Sequence, residues 1–364
     1  MTKTSKKFHT HRQNTSRSGL LPGSLFYTGR FHDLPLIEWI RYNETEFEVQ
    51  VVESITHIVL DKYPDFRHWI RVRGLNDVHR MREFVDYFEI HALTMEDVLN
   101  SGQLPKTEAY PDYLFVTLKH YNISSDEQAV NFIDNHQISL ILSYNHVISF
   151  NEYRSSTFYD SILEGIKSGS GIILQKKVDY LAYLLLDKVV DHYYLIVEEM
   201  HRELNIIEND ITERFSFFKM DRILSSKREI LEFRKEVIPL RDSLMKMRNE
   251  EFSMIQKTNA KYFSDLLDHL QQVTMQIEIL REWNMSVKEF YLNQVNLDMS
   301  KKMQIISVVS VLFLPLSFMA GIYGMNFDHM PELHWKYSYY VLIFAMIVLA
   351  IILLIIFKKK KMLE

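Results

Sequence analysis

Asn326 holds the most specific placement of any polar residue in this chain. It ends Tyr323-Gly324-Met325-Asn326, at the outer end of a stretch from Met303 to Phe327 that contains no charged residue. There its amide offers an oxygen acceptor and two N–H donors without formal charge. Gly and Asn also commonly terminate helices, so the tripeptide by itself reads as a stop signal too. Just beyond it, Asp328 and Glu332 lie in a short loop, where two carboxylates would draw cations by their field. Fifteen histidines invite a metal reading, and His9 and His11 could hold zinc loosely. No His-x-x-x-His pair with a helical acid stands out, so the histidines read as surface residues. Cysteine is absent, which removes thiolate sites and disulfides. No Walker loop and no catalytic triad is present, which argues against an enzyme and against ATP as a partner.

The Met303–Phe327 stretch is long enough, as a helix, to cross a bilayer core of about 30 Å. A second uncharged run, Tyr337 to Phe357, follows a short loop and leads into Lys358-Lys359-Lys360-Lys361. Lys301-Lys302 flank the first run on its inner side, and the loop from Asp328 to Lys336 carries two acids against one lysine. The positive-inside rule then predicts a multi-pass protein of the cell membrane with both termini cytoplasmic. The 364 residues carry a formal net charge of -5, which disfavours nucleic acid as a partner. Residues 1–30 are basic, contain no Asp or Glu, and lack the apolar core of a secretory signal.

The elements between tail and spans fall into two textures. Residues 25–171 alternate strand-like and helical patterns and predict an α/β domain with a mixed sheet. Strands are expected at Ser24–Tyr27, Phe47–Val51, His68–Val72, Tyr113–Leu118, Ile138–Leu142 and Val147–Phe150, with a hairpin turn at Ser143–His146. Asn76-Asp77 should cap a helix whose apolar face is Met81, Phe84, Val85 and Phe88, and His91–Leu99 should form another. Lys167-Ser168-Gly169-Ser170-Gly171 reads as a linker. From 172 to 302 the sequence predicts long helices: an antiparallel pair turning near Phe215–Met220, then a helix starting near Phe252 that continues through the first span. This gives a flexible tail at 1–24, the two soluble regions, spans at 303–327 and 337–357 joined by 328–336, and a basic end at 358–364.

Tyr323–Phe327, Met330-Pro331-Glu332-Leu333, the paired C-terminal spans and the Lys-rich end together resemble the CorA family of magnesium transporters. Gly19–Gly29, His91–Asn100, Tyr262–His269 and Pro315–Phe327 are similar to segments of that family. The resemblance implies a funnel-shaped homopentamer in the lipid bilayer, with magnesium as both cargo and regulator, and cobalt or nickel as further cargo. Gly324, Met325 and Asn326 would form its filter, where a ring of neutral amides can accept hydrogen bonds from the ion's own waters. Inward, Ser317, Leu314, Ser310, Ile306 and Met303 follow at spacings of three and four and would line the pore. The acids matching the family's regulatory positions are Asp97, with Glu96 beside it, and Asp265, with Asp187 as a second-site ligand. Two other readings stay open: the zinc-transporting branch of the superfamily, and a tail-anchored sensor or scaffold whose spans only tether it.

Overall fold

The computed structural model describes residues 21–123, 133–169, 171–213, 215, 218–248, 254–325 and 330–360. Asn326, Phe327 and Asp328 lie outside the described residues, as do Phe252, Ser170 and residues 1–20. The chain forms two units, Met1–Met285 and Ser286–Glu364.

The first unit is built on a seven-stranded sheet: β1 (Leu36–Tyr42), β2 (Phe47–Val51), β3 (Arg67–Arg73), β4 (Lys106–Ala109), β5 (Leu114–Ile123), β6 (Ile133–Leu142) and β7 (His146–Asn151). The order is β2-β1-β3-β7-β6-β5-β4. β3 and β7 pair in parallel, with Ile70 opposite Ile148, and the remaining neighbours are antiparallel. The sheet is therefore mixed, as its sequence pattern predicts. β1 escapes the pattern because Arg41 stands near its end, among apolar residues. That side chain is buried, with its guanidinium 4.3 Å from the Trp39 ring and 4.2 Å from the Tyr63 ring, and it pairs with Glu48. β4 escapes because an edge strand reading Lys-Thr-Glu-Ala carries no apolar alternation. Conversely, Ser24–Tyr27 is not a strand; it follows a turn at Pro22-Gly23, closed by Ser24 N–H donating to Leu21 O.

Helices α1 (Val78–Tyr87) and α2 (Ala92–Leu99) cover one face of the sheet. Asp77 caps α1 through its carboxylate, which accepts from the N–H groups of His79 and Arg80, as its residue type predicts. Met81, Phe84, Met95 and Val98 then join Trp39, Val72, Phe115 and Phe150 in one apolar core. On the other side, α4 (Val178–Glu213) and α5 (Met220–Arg248) run antiparallel, Arg222 at the start of α5 pairing with Glu203 and Asp210 late in α4. Tyr193 of α4 donates to Lys119 O at 2.7 Å, and its ring packs edge-on to Phe233. The short α3 (Asp160–Lys167) precedes the linker, where Gly169 and Gly171 adopt φ of +66° and +84°, a region open mainly to glycine.

Helix α6 runs Ala260–Tyr323 without interruption, passing through Pro315. It begins at Ala260, later than the expected start near Phe252. The reason is a buried network: Asn259 donates both to the Asp179 carboxylate and, through its carbonyl, accepts from Tyr262 N–H, fixing a turn before the helix. α7 (Ser338–Lys359) follows a 3₁₀ turn at Pro331–His334. Both α6 and α7 contain a stretch long and apolar enough to cross a membrane.

Three of the histidines contradict their reading as surface residues, whereas His32, His57, His79, His91 and His334 are exposed. His68, His120 and His136 are buried. His120 of β5 lies 4.7 Å from the His136 ring, 4.8 Å from His192 and 3.9 Å from Phe158, and neither of its ring nitrogens finds a hydrogen bond. The sequence hides this because imidazole in a strand looks polar, yet a neutral ring packs as an aromatic. Burial first, and then the neighbouring His136 and His192, push the His120 pKa down to about 2. The folded value lies below the ordinary 6.5, so the unfolded chain binds the proton first as pH falls. Stability is complete above the ordinary value and declines below it, by up to about 1.4 kcal/mol per pH unit for one such group. His120→Phe should flatten the fall in thermal unfolding midpoint between pH 7 and pH 5, measured by circular dichroism. An unchanged slope would assign the acid lability to other groups.

Candidate functional site

Two helices of the first unit bring carboxylates and an imidazole together. Asp187 and Asp191 are one turn apart on α4, and Asp265 and His269 one turn apart on α6. Donor atoms of Asp187, Asp191 and His269 all lie within 4.8 Å of one another. His269 Nδ1 faces Asp187 Oδ1 at 3.4 Å, and His269 Nε2 lies 3.9 Å from Asp265 Oδ2. Asp187 Oδ1 and His269 Nδ1 are both buried and complete no hydrogen bond. A carboxylate oxygen and an imidazole lone pair repel at that separation unless a proton or a cation stands between them. The donor set fits a divalent ion: oxygen and nitrogen ligands at 2.0–2.2 Å from a metal stand about 3–3.5 Å apart. Tyr194 fixes the helices here, its hydroxyl 3.2 Å from His269 O and 3.0 Å from Gln272 Oε1. Burial first, and then the charge of Asp191, hold the Asp187 carboxyl above its ordinary range; His269 and Tyr183 partly offset this. Asp191 was not singled out from sequence; the signal available was the pairing of i,i+4 donors on two helices.

Glu96 and Asp97 occupy a different place, on α2. Glu96 accepts from Gly23 N–H at 2.6 Å. Asp97 is paired within its own chain: Lys106 Nζ lies 2.6 Å from its Oδ2 and 2.7 Å from Glu108 Oε1. Burial raises the Asp97 pKa and Lys106 opposes the rise. The end of α2 is held by Gln137, whose Nε2 donates to Asp97 O at 2.7 Å and Val98 O at 3.2 Å. The buried Lys119 ammonium donates in turn to Gln137 Oε1 and Ser101 O. The four acids therefore divide: Asp187 and Asp265 share His269, whereas Glu96 and Asp97 have partners of their own.

In the second unit, Met303, Ile306, Ser310, Leu314 and Ser317 are all exposed, Leu314 by 73%. Val308, Leu312, Pro315 and Met319 are the shielded positions, and at 100° per residue they lie on the opposite side of α6. α7 carries one shielded stripe as well: Ser338, Leu342, Ala345, Leu349, Leu353 and Phe357. α6 closes at Tyr323, where Gly324 N–H donates to Ala320 O and Met325 N–H to Ile322 O. Gly324 is not in the left-handed region, and an added Cβ would meet its nearest atoms at 3.5 Å, an ordinary contact. The backbone conformation at Gly324 does not itself require glycine. Glu332 is exposed in the 3₁₀ turn.

A mixed-sheet α/β unit, a helix with carboxylate and imidazole side chains near its start and an uncharged stretch near its end, and a second apolar helix fit a membrane transporter of divalent cations. Residues 68–359 match the family described as CorA-like Mg2+ transporter protein, and the chain belongs to that family. It is 34% identical over 349 residues, 96% of this chain and 98% of the relative, to the cobalt/magnesium transport protein CorA of Thermotoga maritima. It is 22% identical over 247 residues, 67% of this chain and 72% of the relative, to the zinc transport protein ZntB of Cronobacter sakazakii. The complete structure of the CorA magnesium transporter from Methanocaldococcus jannaschii shares its fold, with a TM-score of 0.72 at 18% identity over 90% of this chain and 98% of that one.

Because the folded Asp187 carboxyl titrates above its ordinary range, its ionisation costs stability at neutral pH and nothing at pH 3, where both states are protonated. Asp187→Asn should raise the unfolding midpoint of the divalent-free protein at pH 7 by roughly 2 °C and leave it unchanged at pH 3. Equal midpoints at pH 7, by scanning calorimetry in EDTA, would contradict the electrostatic account.

Proposed function

We propose that this chain is one subunit of a homopentameric channel in the cell membrane, with both termini cytoplasmic, that conducts Mg2+ inward and accepts Co2+ and Ni2+. The observation that carries this reading is helix α6. One element bears Asp265 and His269 near its start and an exposed apolar stripe, ending in Gly324-Met325, near its end. Two apolar helices cannot enclose a path, so a pore needs several copies, and the stripe turned away from the shielded face is the side available to them. Gly324, whose backbone conformation does not itself require glycine, suits a close approach of backbones around an axis. Asn326 then supplies one amide per subunit to a neutral ring that hydrogen-bonds the ion's hydration shell. Asp328 and Glu332 concentrate cations at the mouth. Leu314, Ile306 and Met303 form a neck that dewets when narrow, with Ser310 and Ser317 offering hydroxyls between them. The membrane potential supplies about 4.6 kcal/mol per divalent ion at 100 mV.

Internal Mg2+ closes the channel by bridging carboxylates between subunits: Asp97, with Glu96 beside it, to Asp265 of the partner subunit, and Asp187 at a second site. Ion loss leaves like charges facing one another, which loosens the ring and wets the neck. The imidazole of His269 and the likeness to a zinc transport protein favour zinc as the second cargo reading. Liposome flux with Mg2+, Co2+ and Zn2+ separates the two, and absence of all flux would leave a tethered sensor. Asn326→Ala should reduce Mg2+ uptake by at least a hundredfold in liposomes; normal flux through a correctly inserted variant would remove the amide from selection. Asp265→Lys should weaken inhibition of the current by internal Mg2+ about tenfold or more, and inhibition at the wild-type concentration would argue against that site.

A further inference from the structure

We infer that Lys106 is a tethered cation that competes with the divalent ion for Asp97 and so sets the concentration at which this carboxylate takes it. The inference rests on Asp97 being a ligand, as proposed above. Lys106 Nζ bridges Asp97 Oδ2 at 2.6 Å and Glu108 Oε1 at 2.7 Å. Its ammonium occupies Asp97 Oδ2, one of the two oxygens through which a hydrated dication would be held. Asp97 cannot evade the competition by moving its backbone, because Gln137 holds its carbonyl at 2.7 Å and Thr28 N–H binds Leu99 O two residues on. The side chain that can move is Lys106, on the four-residue edge strand β4.

Glu108 gives the displaced ammonium somewhere to go. It projects from the same side of β4, two residues beyond Lys106, and Tyr110 OH donates to its other oxygen at 3.2 Å. When a dication takes Asp97, Lys106 keeps its pair with Glu108 and loses only one of two bridges. Exchange is then reversible, and the apparent affinity is held below that of an unoccupied carboxylate. Asp97 and Glu108 against one ammonium leave the cluster with net negative charge, so a dication is attracted to it even while the lysine is in place. Glu96 does not enter the exchange directly, since its Oε2 is committed to Gly23 N–H.

The test uses the full-length protein in detergent micelles, titrated with MgCl2 at constant ionic strength. Thermal midpoint and protection from chymotrypsin report binding, and neither depends on transport. Lys106→Met should lower the half-saturating Mg2+ about fivefold, the fold-change equivalent to one partly exposed ion pair. Lys106→Gln, which keeps hydrogen-bonding capacity and removes the charge, should shift it in the same direction and covers the case in which the methionine variant does not fold. In an Asp97→Asn background neither change should move the midpoint. Wild-type half-saturation in both lysine variants, with Asp97→Asn weakening the response, would overturn the competitor role and leave Asp97 a ligand. An Asp97→Asn protein that responds like wild type would remove Asp97 from the site, and the role of Lys106 with it.

Discussion

A buried carboxylate fixes where α4 meets the start of α6. Asp179, in the first turn of α4, is 1% exposed, and its oxygens accept from Asn259 Nδ2 at 2.9 and 3.0 Å and from Gln256 N–H at 2.9 Å. An unpaired carboxylate at that depth would cost several kcal/mol, and these donors from the segment preceding α6 offset it. The contact sets the register of α4 against the start of α6. About two and three turns along α4 this register delivers Asp187 and Asp191, and about one and a half and two and a half turns along α6 it delivers Asp265 and His269. Between them the Tyr262 ring meets Tyr180 edge-on at 4.9 Å and Tyr183 at a tilt at 5.2 Å.

The carboxylates meet their neighbours in two electrostatic arrangements. At Asp187 and His269, Oδ1 and Nδ1 stand 3.4 Å apart and neither completes a hydrogen bond, a local tension that a cation or proton between them relieves. At Asp97 the tension is already relieved, by Lys106. The first arrangement raises the gain from binding an ion; the second lowers it. Along α6 from Met303 to Tyr323 charge is absent altogether, and an ion that keeps its waters needs acceptors that hold it weakly.

Much of the fold was legible because its elements obey local rules. Asp77 caps α1, the strands at Phe47, His68, Tyr113, Ile138 and Val147 show β-branched and aromatic runs, and the glycine-free stretch after Lys176 forms long helices. What failed locally was decided by contacts distant in sequence. Arg41 made β1 look unlike a strand because its charge is satisfied by Glu48 and two aromatic faces. The buried histidines looked like surface residues because packing on Phe158 is invisible in the sequence.

Sequence by itself determined that this chain carries two apolar spans behind a water-soluble α/β and helical region, and that its outer motif belongs with magnesium transporters. These follow from uncharged length and from residue order, both properties of the chain alone. Tertiary structure decided which acids stand together. Asp191 joined Asp187 and His269 because α4 and α6 lie side by side, and Asp97 acquired Lys106 because β4 runs past the end of α2. Carboxylates on a helix carry no mark of their partner; only the distance to the next charge, set by how elements pack, shows which group each one faces.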